Sequence, residues 1–129
     1  MKKDVTHTAL FDTLLSGEIG DMYYDLHNDF ECIRLTYSLM ERKLELRFTN
    51  DDDRIVITFH DARLGACSFN PTQPGSTIDL FYRGHFEMNN NLHEMTSKAE
   101  YYYYLEFLED TKLEVFARQV VMEMTRLNS

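Results

Sequence analysis

The chain has 129 residues, of which 43% are hydrophobic, 27% charged and 13% aromatic, a composition typical of one soluble globular domain. Its 22 acidic and 13 basic side chains give a net charge of −9, which repels nucleic-acid phosphates and anionic lipid head groups. We therefore expect neither nucleic-acid binding nor membrane binding.

The cysteine content and the first residues of the chain indicate the cellular compartment of the protein. Cys32 and Cys67 are the two cysteines, and no apolar run followed by a small-residue cleavage site opens the chain. No apolar stretch approaches the roughly 20 residues that cross a bilayer. The sequence therefore predicts a cytoplasmic protein with both thiols reduced.

Helical spacing dominates the start of the chain. Apolar residues recur at helical intervals over 10–15, Thr8 is placed to cap the first turn, and Gly17 is placed to end the helix. This pattern predicts a short amphipathic helix at about 8–16. The same spacing continues over 19–26, where we predict a second short helix.

From Phe30 onward the hydrophobic period changes to two, which is typical of strands with one solvent-facing side. The alternating sets that predict three successive strands cover residues 33–39, 44–48 and 55–59. A polar turn is expected at 50–53. Glycines and prolines predict an irregular segment at 64–76.

The alternation continues in the second half of the chain. It predicts a strand over 78–88 with a bulge at Gly84, and a hairpin that joins 101–107 to 113–115. The apolar positions then change parity, so the final strand is expected to change register near Ala117.

These patterns predict a mainly β fold in which residues 1–129 form a single domain. We expect one antiparallel sheet or a sandwich of about six strands, with a short N-terminal helical element. The residues expected to face the core are Leu35, Tyr37, Leu46, Phe48, Ile57, Phe59, Leu80, Tyr82, Leu105, Phe107 and Val115.

The candidates for chemistry are histidines close to carboxylates. His60 precedes Asp61, but neighbours in a strand point to opposite faces, which disfavours a base with its orienting acid. His85 and Glu87 share a strand face yet supply only two ligands for a metal. His93 lacks the spacing of a helical zinc motif. We therefore expect no catalytic residue, no metal and no cofactor.

Four consecutive tyrosines occupy residues 101–104. Strand alternation places Tyr101 and Tyr103 in the core. It leaves Tyr102 and Tyr104 on the other face, as candidate interface residues.

The distribution of charge is the most informative functional feature. No lysine or arginine lies between Lys3 and Arg34, where seven carboxylates give a charge of −7. A solvated surface is the simplest interpretation, and a docking surface for a basic protein partner is the more specific one. The candidate partner-binding residues are Glu18, Asp21, Tyr23, Tyr24, Asp25, Asp29 and Phe30. The aspartates at 51–53 add to the same field.

Residues 26–64 carry a family resemblance. LHNDF leads into ECIRLTYSLMERKLELRFTN and then RIVITFHDARL. This segment resembles the small, β-rich immunity-type proteins that are encoded beside bacterial polymorphic toxins. The resemblance implies a cytoplasmic, non-enzymatic protein that neutralises a toxin by tight binding.

Three functional hypotheses follow. The leading one is an immunity-type inhibitor whose partner is a basic toxin domain. The second is a small-molecule-binding or enzymatic β domain with an aromatic pocket in which His60 or His85 is the polar group. The third is a structural subunit that forms a homo-oligomer through exposed tyrosines.

Overall fold

The computed structural model describes residues 1–9, 12–68, 77–84, 86–88, 91–93, 100–108 and 111–127. Nearly all regular structure in this part of the chain is β, so the prediction of a mainly β fold is confirmed. The elements are β1 (Lys2–Asp4), β2 (Ser16–Ile19), β3 (Met22–Asp25), α1 (Leu26–Asp29), β4 (Glu31–Ser38), β5 (Lys43–Thr49), β6 (Asp53–His60), β7 (Arg63–Ser68), β8 (Ile78–Arg83), β9 (Phe86–Met88), β10 (Asn91–His93), β11 (Tyr101–Phe107), β12 (Thr111–Ala117) and β13 (Gln119–Arg126).

Two antiparallel sheets form the body of the protein. The first has the strand order β1-β13-β6-β5-β4 and the second β7-β12-β11-β8, while β2-β3 and β9-β10 are separate hairpins. The Phe59 ring of β6 lies 5.7 Å from the Tyr103 ring of β11 and 6.1 Å from the Phe81 ring of β8, between centroids. Because these strands belong to different sheets, the sheets pack face to face around one core.

One pair of long strands runs through both sheets. β6 pairs with β13 as far as His60 opposite Gln119, and β7 then pairs with β12 from Arg63 opposite Phe116. From the first pair to the second, the numbering rises by three on one strand and falls by three on the other. The register of the ladder is therefore the same on both sides of the bend. β6-β7 and β12-β13 therefore form one antiparallel ribbon, the bent ribbon, which turns from the first sheet into the second.

The bend of this ribbon lies at Asp61 and Ala62. Asp61 has a φ of +50°, a conformation that aspartate adopts more readily than most residues with a side chain. Ala62 is fully buried, its N–H donates to the Arg42 carbonyl (2.7 Å), and its carbonyl accepts from the Tyr37 hydroxyl (2.8 Å). The β4-β5 hairpin therefore satisfies the backbone groups that the bend removes from the ladder.

The N-terminal helix predicted at 8–16 is wrong for the residues that the structure describes there. Thr13 forms a β-bridge to Tyr82, and a strand begins at Ser16. Residues 10 and 11 lie outside the described part. Pairing with the edge of β8 supplies backbone partners that a short helix would otherwise supply, so tertiary contact overrides the helical spacing.

The second predicted helix, over 19–26, is also wrong. A β2-β3 hairpin and the single turn of α1 take its place. Gly20, with a φ of +64°, forms the turn between the strands. Tyr23 and Tyr24 favour strand structure, and the Asp25 side chain then caps α1.

The strands predicted in the middle of the chain and the 101–115 hairpin are confirmed as β4, β5, β6, β11 and β12. Seven of the residues expected in the core are buried: Leu46, Phe48, Ile57, Phe59, Leu105, Phe107 and Val115. Leu35 and Tyr37 are partly buried against that core.

Leu80 and Tyr82 are corrections to the predicted core. Leu80 is exposed and Tyr82 is only partly buried, whereas Ile78 and Phe81 of the same strand are buried. The register between β8 and β11 shifts beside Asp79, and a bulge there changes which side chains face inward.

The segment predicted to be irregular at 64–76 is partly a strand, because β7 continues to Ser68; residues 69–76 lie outside the described part. Gly65 of this strand lies close to the Phe116 ring of β12. A Cβ atom at Gly65 would lie 2.9 Å from the Phe116 ring, too close for any larger residue without a shift.

Two further expectations are corrected. The strand predicted over 78–88 is divided, since β8 ends at Arg83 and β9 pairs with β10 in a hairpin of its own. The register change expected near Ala117 is wrong, because the ladder keeps its register there and shifts instead between Leu113 and Val115. The apolar positions change parity near Ala117 because the chain passes from the second sheet to the first. The described residues consequently form more strands than the six expected.

We predict that Tyr37→Phe lowers the free energy of unfolding by about 1–2 kcal/mol, because the buried Ala62 carbonyl loses its donor. Urea unfolding at pH 7 measures the loss. Tyr23→Phe is the matched control, since Tyr23 is exposed, and we expect it to change stability by less than about 0.5 kcal/mol. Equal stabilities for the two variants would contradict the role given to the bend.

Candidate acidic groove

A groove of about 500 Å³ lies where α1 meets the turn between β5 and β6. The Asn50 side-chain amide donates to the Asp29 carbonyl (3.0 Å), which ties the end of α1 to that turn. We call this feature the acidic groove; its described lining consists of Tyr23, Asn28, Asp29, Phe30, Asn50, Asp51, Asp52, Asp53 and Met124.

Asn50 also fixes the shape of the turn. Its side-chain oxygen accepts from the N–H groups of Asp52 (2.9 Å) and Asp53 (2.7 Å), the arrangement that makes asparagine favourable in turns. Asp53 is partly buried and forms an ion pair with Arg126 at 3.4 Å, at the end of the bent ribbon. The ribbon therefore holds the turn in place, and the turn holds its aspartates at the groove.

The described lining of the acidic groove has four carboxylates and no lysine or arginine. Asp29, Asp51 and Asp52 are exposed, and Asp53 forms an ion pair with Arg126. An adjoining concavity of about 490 Å³ extends the surface to Glu31. Aligned carboxylates of this kind create a negative potential that attracts cationic groups over a distance of about 8–10 Å at ordinary salt.

Three residues predicted at the partner site line the groove. Tyr23 is 62% exposed and Asp29 is exposed, so both are available for contact. Phe30 is buried and forms part of the groove floor. The structure thus brings together an exposed aromatic ring and the aspartates of two separate turns.

Tyr24 lies in the core instead. It is buried, its hydroxyl donates to the Leu14 carbonyl (3.1 Å), and burial raises its pKa to about 12. Its packing stabilises the β2-β3 hairpin from which Tyr23 projects, since neighbours in a strand point to opposite sides.

Glu18 and Asp21 are exposed on the hairpin that carries Tyr23, but neither lines the groove. The Lys3 ammonium donates to the Glu18 carbonyl (2.9 Å) and brings a positive charge to that edge. Asp25 caps α1: its carboxylate accepts hydrogen bonds from the side chain of Asn28 (2.8 Å) and from the backbone N–H groups of His27 and Asn28. Of the predicted partner-binding residues, Tyr23, Asp29 and the buried Phe30 therefore line the groove, together with the aspartates of the 51–53 turn.

The histidines of the second hypothesis are not gathered into a site by the described residues. His60 ends β6, opposite Lys43 and Gln119, and lines none of the concavities described. His85 lies outside the described part of the chain. Within that part, no group of three or more His, Cys, Asp or Glu residues is arranged to hold a metal ion.

The tyrosine run shows the predicted alternation but not the predicted exposure. Tyr103 is buried between the sheets, and Tyr102 points to the other face, where its ring lies 5.4 Å from that of Phe116. Tyr102 is nonetheless buried, and Tyr104 is partly buried with its hydroxyl donating to Glu106 (2.8 Å). Tyr102 is thus unsuited to an exposed interface.

Sequence reasoning missed a second cleft, of about 320 Å³, on the outer face of β4 and β5, whose charged lining residues are Arg34, Glu41, Lys43, Glu45 and Arg47. Arg34 and Arg47 are directly opposite each other there, and Glu45 lies 3.5 Å from Arg47. The alternation of charges along β5 is the sequence signal for this face. With three cationic and two acidic side chains, the described lining of this cleft lacks the acidic excess of the groove.

No protein-family model matches the chain, and no curated protein and no solved structure matches it significantly.

The helix α1 has four residues, and no helix in the described ranges is long and apolar enough to cross a membrane. Cys32 is a free thiol whose pKa is raised to about 11 by burial.

We predict that Asp25→Ala lowers stability by about 0.5–2 kcal/mol at pH 7, the usual cost of losing a helix N-cap. The Asn28 side chain and backbone N–H groups hold the pKa of Asp25 below its ordinary value of 3.8. The stabilisation is therefore present above pH 3.8 and is lost as the pH falls through the lower, folded-state pKa. Urea unfolding between pH 2.5 and 7, the range set by those carboxyl pKa values, tests this dependence.

The matched control is Asp21→Ala, which removes an exposed carboxylate from the β2-β3 turn. We expect that variant to differ little from the wild type throughout the range. An Asp25→Ala cost that stayed constant down to the lowest pH would contradict the assignment of the charged carboxylate as the cap.

Proposed function

We propose that the protein is a non-enzymatic inhibitor of the immunity type, which binds a basic toxin domain through the acidic groove. The observation that carries the proposal is the joining of the 51–53 turn to α1 through the Asn50–Asp29 hydrogen bond. Two acidic segments that are distant in sequence thereby form one surface. The cytoplasmic location and the bacterial source belong to the same proposal, together with the resemblance of residues 26–64.

Charge supports a basic partner. The exposed carboxylates of the groove attract lysine and arginine side chains, and a negative surface on a chain of net charge −9 accelerates encounter with a cationic protein. Asp29 and Asp52 are exposed and lie at the groove rim. In such a position they contribute chiefly to the association rate.

Tyr23 supports a protein partner rather than a small cation. An exposed tyrosine beside a charged rim supplies apolar contact area and a hydroxyl, the combination found at the centre of many protein interfaces. The buried Tyr24 and Phe30 beneath it hold the hairpin and the groove floor in place. The binding surface is therefore largely preformed, which limits the entropy lost on association.

The experiment is coexpression of the chain with the product of the gene next to its own, followed by kinetics on the purified pair. If the neighbouring product is the toxin, cells that express it alone should stop growing. Growth restored by coexpression of the chain, together with a stable complex, supports the proposal. Asp29→Lys/Asp52→Lys is then expected to slow association by about 10-fold or more at low salt and to flatten its salt dependence.

Asp12→Lys/Glu41→Lys is the matched control, because it makes the same change in net charge at exposed carboxylates outside the groove. Circular dichroism and thermal unfolding establish that both variants are folded. Equal association rates and equal salt dependences for the two variants would refute the groove as the docking site. Failure of the wild-type chain to bind the neighbouring product would refute the immunity-type function itself.

A further inference from the structure

β4 is a long strand at the edge of the first sheet. It pairs with β5 on one side, and no strand in the described ranges pairs with its other side. Unpaired edge groups of this kind invite pairing with another strand, and proteins usually shorten, charge or cover such edges. Two other edges follow that rule. β1 has three residues, and β8 receives the Thr13 bridge and the Leu14 N–H on its edge.

β4 is protected at its start but not along its second half. A register shift beside Ile33 and the charge of Arg34 disrupt the first part of the edge. The next six residues, 35–40, contain no charge and no proline. Leu39 and Met40, which end this stretch, are 80% and 95% exposed, and Ile33 is 53% exposed.

From these features we infer that two copies of the chain associate through antiparallel pairing of their β4 edges. In a continuous sheet, inward-facing residues must lie opposite inward-facing residues, which restricts the possible registers. Centring the two-fold axis on Thr36 satisfies this requirement. Leu35 then faces Tyr37 of the second copy on the core side, and the exposed Ile33 and Leu39 meet at both ends of the paired segment.

Charge favours a second copy as the occupant. Arg34 is the single charged residue within 33–40, and the register places it opposite Ser38 of the second copy. Two chains of net charge −9 repel each other over most approaches, so self-association requires a paired segment without opposed carboxylates. Residues 33–39 form such a segment. Just beyond its ends, Glu31 lies opposite Glu41 of the second copy, and Lys43 forms an ion pair with Glu41 (3.3 Å). None of residues 33–39 lines the acidic groove.

The test is sedimentation equilibrium of the full chain, for which we expect a mass of twice 15.3 kDa at micromolar concentrations. Ile33→Lys/Leu39→Lys is expected to weaken the dimer by about 100-fold or more, because both copies then bring ammonium groups to the edge. Leu80→Lys/Leu108→Lys adds the same charge at exposed leucines elsewhere and should leave the dimer intact.

Hydrogen exchange on the wild-type chain locates the interface without a substitution. Amides within 33–39 should exchange more slowly as the protein concentration rises. A monomer at all concentrations overturns the inference, as does a dimer that survives the edge substitutions in folded protein. Protection of 33–39 only on addition of a different protein would assign the edge to a foreign strand and likewise overturn it.

Discussion

The structure depends on the continuity of one antiparallel ladder, the bent ribbon, across two sheets. Because β6-β7 and β12-β13 keep the same register through the bend, neither sheet can shift without the other. Bending removes Ala62 from the ladder, and its backbone groups are satisfied by Arg42 and Tyr37. The β4-β5 hairpin is therefore both part of the first sheet and the support for the bend. The aromatic core formed by Phe59 and Tyr103 lies inside the angle that the ribbon makes.

The geometry of the acidic groove depends on the end of the bent ribbon at Asp53 and Arg126. The last ladder pair places Arg126 opposite Asp53, and their side chains also form an ion pair. The turn that precedes Asp53 is thereby fixed, and Asn50 connects it to Asp29. A surface built in this way presents its carboxylates without the large ordering cost that a flexible acidic tail would pay on binding. This rigidity is what the proposed inhibitory role requires.

The sequence predicts most of the strands because one-sided burial imposes an alternation that a single chain displays, as in Leu44, Leu46 and Phe48. It does not predict the bulges beside Ile33 and Asp79, since these arise from pairing with a neighbouring strand. The N-terminal helices fail because sparse apolar residues fit helical spacing while tertiary pairing decides the outcome. At the site, charge and aromatic content identify Tyr23 and Asp29. Two features of the site can be seen only in the folded structure. These are the burial of Tyr24 and the hydrogen bond from the Asn50 side chain to the Asp29 carbonyl, 21 residues away in the sequence.

Native-state hydrogen exchange in increasing urea tests the continuity of the ribbon most directly, because it reports the free energy of opening at each amide. If the ribbon is one unit, amides in 55–59 and in 120–124, which belong to the first sheet, should open together with those in 113–116, which belong to the second. All three should share one opening free energy and one urea dependence. Separate opening of the first-sheet and second-sheet segments, with different urea dependences, would contradict the account.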